Sequence, residues 1–230
     1  MALITTSPNV SSALNREIVF AGDHVRLAGT IELPGTPAPR NGFPLLFILP
    51  HASSMDREDF HDYVQIALNT QAAIFRWDKR GTGHSGASAI GSTAQDAVNA
   101  YATALAQPGI NRQQVMILAV GAATGVLGSN FEAFARLGRP AGVLLVANQL
   151  NAKDILALDA EIHILMSAQD WNPYMVYGNT AALAHRQVYP HGAGSTLISD
   201  SDRFLMVADA RGRKRLHPDA QRVITAWMRR

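Results

Sequence analysis

The rhythm of apolar and polar positions changes near residue 43. Before it, the apolar runs are short. Glu17 to Phe20 and Val25 to Glu32 read as two strands flanking Ala21-Gly22-Asp23, an antiparallel pair. Pro34 to Gly42 holds three prolines and ends on Asn41-Gly42, a turn signal. From Pro44 to Leu49 the positions are continuously apolar, as expected of a strand buried on both faces. Phe60, Tyr63, Val64 and Ala67 then fall at i, i+3, i+4, i+7, one face of a helix. Ala72 to Trp77 is the next strand, and Val98, Tyr101, Ala102 and Leu105 mark the next helix. Val115 to Val120 is a third strand of this kind. A turn over 121–125 and a helix to about Leu137 follow.

Ala141 to Ala147 and Ile162 to Ser167 continue the series of strands. Tyr174 to His185 reads as helical and Arg186 to Tyr189 as a last strand. Ala220, Val223, Ile224 and Trp227 close the chain as an amphipathic helix. Parallel strands need crossover helices, so this alternation predicts an α/β domain with a mostly parallel sheet covered on both faces. Residues 16–230 form that single domain, and residues 1–15 are expected to be a flexible tail. Only Asn148 to Glu161 separates two of the strands, too little for a lid domain.

Composition narrows the field. With 230 residues, 47% hydrophobic and 17% charged, one globular core is expected. The net charge of +2 argues against nucleic acid and against an anionic membrane as partners. The basic residues from Arg211 to Arg230 read as a solvated loop and helix face. There is no cysteine, which removes disulfides, thiolate catalysis and Cys-ligated metal. The first fifteen residues lack an apolar signal core, and no apolar stretch of about 18 residues exists. A cytoplasmic protein is expected, with no zinc spacing and no implied cofactor.

In a parallel sheet, ligands bind beyond the C-terminal strand ends. After the third apolar strand comes Gly121-Ala-Ala123-Thr-Gly125, with the G-x-Nu-x-G spacing of a nucleophile elbow. At its centre, Ala123 supplies a methyl group where a nucleophile would stand. Plain strand-to-helix packing explains the same glycines. Gly81-Thr-Gly83-His-Ser-Gly86 matches a dinucleotide fingerprint. It follows the second parallel strand, however, and does not open a helix at once.

Asp78 to Gly86, Leu49-Pro-His-Ala-Ser53 and the 121–125 turn together resemble the α/β-hydrolase family, over about Val25 to Trp227. The resemblance implies an oxyanion loop at His51 and Ala52, with backbone N–H groups near Ala52 and at Thr124 facing the site. It implies an acid at Asp170, with a cap on the helix that starts near Tyr174 as the lesser reading of that residue. It places Ser195 at the histidine position, aligned on Gly-Ala-Gly, and leaves His191, four residues earlier, as the other candidate base. Two readings follow. One is a lid-less, non-hydrolytic member that binds a small molecule or acyl compound, or serves as an accessory protein. The alternative is a working serine hydrolase carrying an engineered Ser-to-Ala exchange at 123, with His191 as base.

Overall fold

The computed structural model describes residues 14–50 and 55–230. Its main sheet contains β1 (Leu14–Ala21), β2 (Arg26–Leu33), β3 (Phe43–Leu49), β4 (Ala73–Asp78), β5 (Ile110–Val120), β6 (Gly142–Val146), β7 (Glu161–Ser167) and β8 (Ala193–Ile198). The strand order is β1-β2-β4-β3-β5-β6-β7-β8. β1 and β2 are antiparallel, and β2 is antiparallel to β4. From β4 to β8 every neighbouring pair is parallel.

Both faces are covered. In β3, Leu45, Phe47 and Leu49 enter one core with residues of α2 (Thr93–Leu105), α3 (Ala122–Leu137) and α4 (Ala181–Val188). Leu46 and Ile48 enter a second core with residues of α1 (His61–Asn69) and α5 (Pro218–Met228). Alternate residues point to opposite faces, so both sets must be apolar. Each such side chain contributes about 1.5–3 kcal/mol on burial. The helix starts are locally encoded. Ser92 Oγ accepts from the amides of Ala94 and Gln95 at 3.2 and 3.4 Å, capping α2. Pro218 opens α5, where its missing N–H costs no hydrogen bond.

Several expectations need correction. Residues 1–13 of the expected tail lie outside the described residues, but Leu14 and Asn15 belong to β1 and pair with Leu33 and Glu32. Arg186 to Tyr189 is not a strand, because α4 runs through Val188. The last strand of the sheet is β8, which begins at Ala193. A Cβ on Gly194 would lie 2.5 Å from Nδ1 of His163 in the neighbouring strand, so this strand position requires glycine. A small hairpin, β9 (Met206–Ala208) with β10 (Lys214–Leu216), was not anticipated. Between β6 and β7 there is one short 3-10 turn, Asp154–Ala157, and no lid.

Candidate functional site

The ends of β3, β4, β5, β6, β7 and β8 all open on one side of the sheet, as parallel strands require. The sharpest feature there is the passage from β5 to α3. A single residue, Gly121, separates them, with φ +56° and ψ −123°. That backbone conformation is strained for any residue with a Cβ. Its amide donates to the carbonyl of Val146 at 2.8 Å, pinning the bend to β6.

The centre of the turn is therefore Gly121, and the assignment to Ala123 is corrected by two residues. Ala123 lies in the first turn of α3, 3% exposed. Small residues still flank the bend at a spacing of two, but they are Ala119 and Ala123. The expectation for Thr124 changes with it. Its amide donates to the Gly121 carbonyl at 3.0 Å, and its hydroxyl donates to the same oxygen at 2.8 Å. The hydroxyl also accepts from the Gln149 amide at 3.1 Å. Thr124 thus braces the bend, and the first amide after the bend is that of Ala122. His51 and Ala52, the expected oxyanion loop, lie outside the described residues.

The Asp78–Gly86 loop is held by its own carboxylate. Asp78, 1% exposed, accepts from the amides of Arg57 and His84 at 3.1 and 2.9 Å. Gly83 has φ +46°, and a Cβ there would lie 2.4 Å from the Asp78 carboxyl. Gly83 thus makes room for a turn that closes around a buried acid. The Arg57 guanidinium is buried and reaches Glu17, Thr30 and His84 at 2.7, 2.7 and 2.9 Å.

Asp170 stands in the loop after β7, as expected, with its side chain fully buried. Its Oδ1 accepts from the Asn172 amide at 3.1 Å, an Asx turn. Its ionic partner comes from the loop after β8 and is Arg203, with Nε 3.9 Å from Oδ1. Asp170 Oδ2 and two guanidinium nitrogens of Arg203 are buried without a hydrogen-bond partner among the described residues. The guanidinium lies 5.1 Å from the ring centroids of both Trp171 and Phe204. Ser167 Oγ donates to the Ser201 carbonyl at 2.7 Å, fastening the two loops together.

Neither expected base reaches this place. Ser195 is the third residue of β8 and accepts from the Tyr174 hydroxyl at 3.0 Å. His191 precedes β8 and therefore lies at the opposite end of the sheet. Six residues of strand separate it from the loop carrying Arg203, roughly 20 Å at about 3.3 Å per residue. It pairs there with Asp159 at 2.7 Å, and Arg139 contacts the same carboxylate. The His191 hydrogen bond and the Arg139 charge hold Asp159 below the usual carboxylate range. Both base assignments followed from placing the last strand before His191 instead of after it. Arg203 was missed for the same reason, since only the true end of β8 directs attention to the residues after Ile198.

Two cavities open beside the bend. One, of about 150 Å³, lies between Leu49, Trp77, Ala97, Ala123 and Val126, with Lys79 and Arg80 on its loop side. Burial lowers the pKa of Lys79. The other, of about 560 Å³, reaches Val120, Phe60, Tyr63 and Phe204 and has a charged rim. The C-terminal basic residues on that rim are mostly spent. Arg213 pairs with Asp209, Lys214 with Asp202 and Arg215 with Asp62, at 2.9 to 3.1 Å. No helix among the described residues is long and apolar enough to cross a membrane.

No family model matches the chain, and no curated protein is significantly similar to it in sequence. Solved structures do resemble it. An acetyl xylan esterase from Paenibacillus sp. R4 superposes with a TM-score of 0.69 at 12% identity, covering 99% of this chain and 86% of that one. A predicted CIB-like hydrolase from Thermoplasma acidophilum gives 0.65 at 13% identity, with 95% and 99% covered. The esterase domain of a Rhodothermus marinus protein gives 0.65 at 13%, with 94% and 98% covered. At such identities the likeness concerns the fold. The chain has the α/β-hydrolase fold.

Proposed function

We propose that this chain is a binding or accessory protein on a hydrolase scaffold and does not cleave esters by the serine mechanism. One observation carries the reading: the residue at the strand-to-helix bend is Gly121, which has no side chain. In this fold the bend presents the attacking atom. The mechanism then needs a base that takes the nucleophile's proton, oriented by an acid. The acid position is occupied by Asp170, but the side chain that meets it from the next loop is Arg203. A guanidinium has donors only and cannot accept a proton. Ala122, after the bend, supplies a backbone amide suited to an oxyanion or carboxylate. What such an arrangement retains is recognition of an acyl or carboxylate group. The esterases that share the fold are consistent with that ligand class.

The test is nitrophenyl acetate and butyrate turnover by the wild type, by Gly121→Ser and by Gly121→Ser/Arg203→His. Wild type and the single variant are expected to stay at the buffer rate. The double variant is expected to release nitrophenol above it. Wild-type turnover at about 1 s⁻¹ or more, the ordinary enzyme range, would overturn the proposal.

A further inference from the structure

β8 ends the main sheet on one side, and no strand among the described residues pairs with its outer edge. Its bonds to β7 fix which groups are left there. The Ile162 amide donates to the Gly192 carbonyl at 3.2 Å, and the Ala168 amide to the Ile198 carbonyl at 2.9 Å. Along a strand, the residues that bond a given neighbour alternate, so the even-numbered residues of β8 face β7. Ala193, Ser195 and Leu197 turn their amides and carbonyls to the open edge.

Such an edge is a template for another strand, and soluble proteins blunt it with charges, prolines or bulges. The opposite edge of this sheet is blunted. There β1 carries Arg16 and Glu17, which bond Gln107 and Arg57 at 2.8 and 2.7 Å. β8 is not: from Gly192 to Ile198 there is no charged residue and no proline. Its register with β7 runs from Ala193 to Ile198 without a bulge. Exposed apolar surface gathers in the segment that leads into this strand. Of the ten large apolar side chains exposed among the described residues, six lie between 171 and 197: Trp171, Met175, Val176, Leu183, Val188 and Leu197. Apolar surface concentrated in this way marks a protein contact.

An antiparallel copy of β8 is self-complementary to that edge. With a two-fold axis at Ser195, Ser195 faces Ser195 of the second copy, and Ala193 faces Leu197 in both directions. All three turn both amide and carbonyl outward, which is the hydrogen-bonded pairing of an antiparallel ladder. Three facing pairs with two bonds each give six hydrogen bonds. His191 precedes the strand and Asp200 follows it, both exposed, so antiparallel docking keeps the Asp200 ends of the two copies apart. A two-fold contact uses the same patch on both copies and is closed, so assembly stops at two. The geometry points to a homodimer in which β8 of two copies pairs antiparallel about Ser195, joining two eight-stranded sheets into one. The inference concerns the sheet edge alone and is independent of whether the bend at Gly121 supports turnover.

Sedimentation and light scattering on the intact chain test it. A mass of twice 24.8 kDa is expected, with a dissociation constant in about the micromolar range or tighter. Leu197 is 44% exposed, so Leu197→Lys leaves the core intact while placing a charge on the edge, and is expected to weaken the dimer at least tenfold. Ser195→Pro removes an amide that faces the edge and not β7, a position where a strand tolerates proline, and is expected to give a monomer. The register is read by Ser195→Cys. The chain has no other cysteine, and facing residues of a hydrogen-bonded pair lie about 5.5 Å apart, within disulfide reach. Oxidation is expected to link two chains, whereas Ser129→Cys on α3 stays unlinked. A wild-type monomer at about 100 μM, where a micromolar dimer is nearly complete, overturns the inference; pairing of the edge with residues 1–13 of the same chain would give that result. A dimer undiminished by Leu197→Lys, or one that Ser195→Cys does not cross-link, overturns it too, because the contact then lies elsewhere. The wild-type mass and the cross-link decide the matter even if Ser195→Pro fails to fold.

Discussion

Replacing Gly121 by Ala places a Cβ at φ +56°, ψ −123°, on the one residue that joins β5 to α3. Strain of this kind costs about 1–3 kcal/mol. In a domain of this size each kcal/mol moves the melting temperature by about 2–4 °C, so a fall of roughly 2–12 °C is expected. Gly125 provides the control. It lies within α3, its φ is not positive, and a Cβ there meets nothing within 4 Å. Gly125→Ala should raise stability by about 0.5–1 kcal/mol, the ordinary gain from removing glycine inside a helix. The two variants carry the same methyl group four residues apart and should move in opposite directions. Scanning calorimetry, with urea titration as a second measure, reads both. If Gly121→Ala melts at or above the parent while Gly125→Ala falls, the bend has been placed on the wrong glycine. The functional reading would then lose its support.

Two further outcomes are expected. Burial of His163 in β7 lowers its pKa from the ordinary 6.5 to about 4. The unfolded chain takes up that proton first, so the contribution is complete above pH 6.5 and is lost as pH falls toward 4, amounting to at most about 3 kcal/mol. Urea midpoints across that window should fall in the wild type and flatten in His163→Gln; parallel curves would remove His163 as the cause. Arg203→Met strands the buried Asp170 carboxylate. Breaking a buried pair costs about 3–5 kcal/mol, and the 3.9 Å separation and one-quarter exposure of Arg203 bring the expectation down to about 1–3 kcal/mol. Combined with Asp170→Asn, the loss should fall short of the sum of the single losses by at least about 0.5 kcal/mol. Strict additivity would show that the two side chains do not act as a pair.

Much of the fold could be read locally. Val115 to Val120 and Ala141 to Ala147 are continuous apolar runs, and Ile162 to Ser167 is one but for His163 and Ser167, because strands covered on both faces leave few polar positions. Each corresponds to a strand found within a few residues of its expected bounds. Phe60, Tyr63, Val64 and Ala67 report the buried side of the α1 region in the same way. Where a local rule was ambiguous, the reading slipped. Val188 and Tyr189 have strand propensity, but the helix already packed at Ala181 and Ala182 continues through Val188. The strand beginning at Ala193 was missed, and the close approach of Gly194 to the ring of His163, thirty-one residues earlier in the chain, is invisible in a linear pattern.

The chain's own pattern determined the class of fold, the number of sheet faces to be covered, and the place of Asp170 at the end of a strand. Those features depend on periodic burial, and every residue of a run repeats the same information. The tertiary structure alone decided that the bend falls on Gly121 instead of Ala123, that Arg203 meets Asp170, and that His191 lies at the far end of the sheet. A shift of two residues leaves the apolar pattern of a doubly covered strand unchanged. Pairing between loops depends on where distant strands end, so these choices are made only when the strands are assembled side by side.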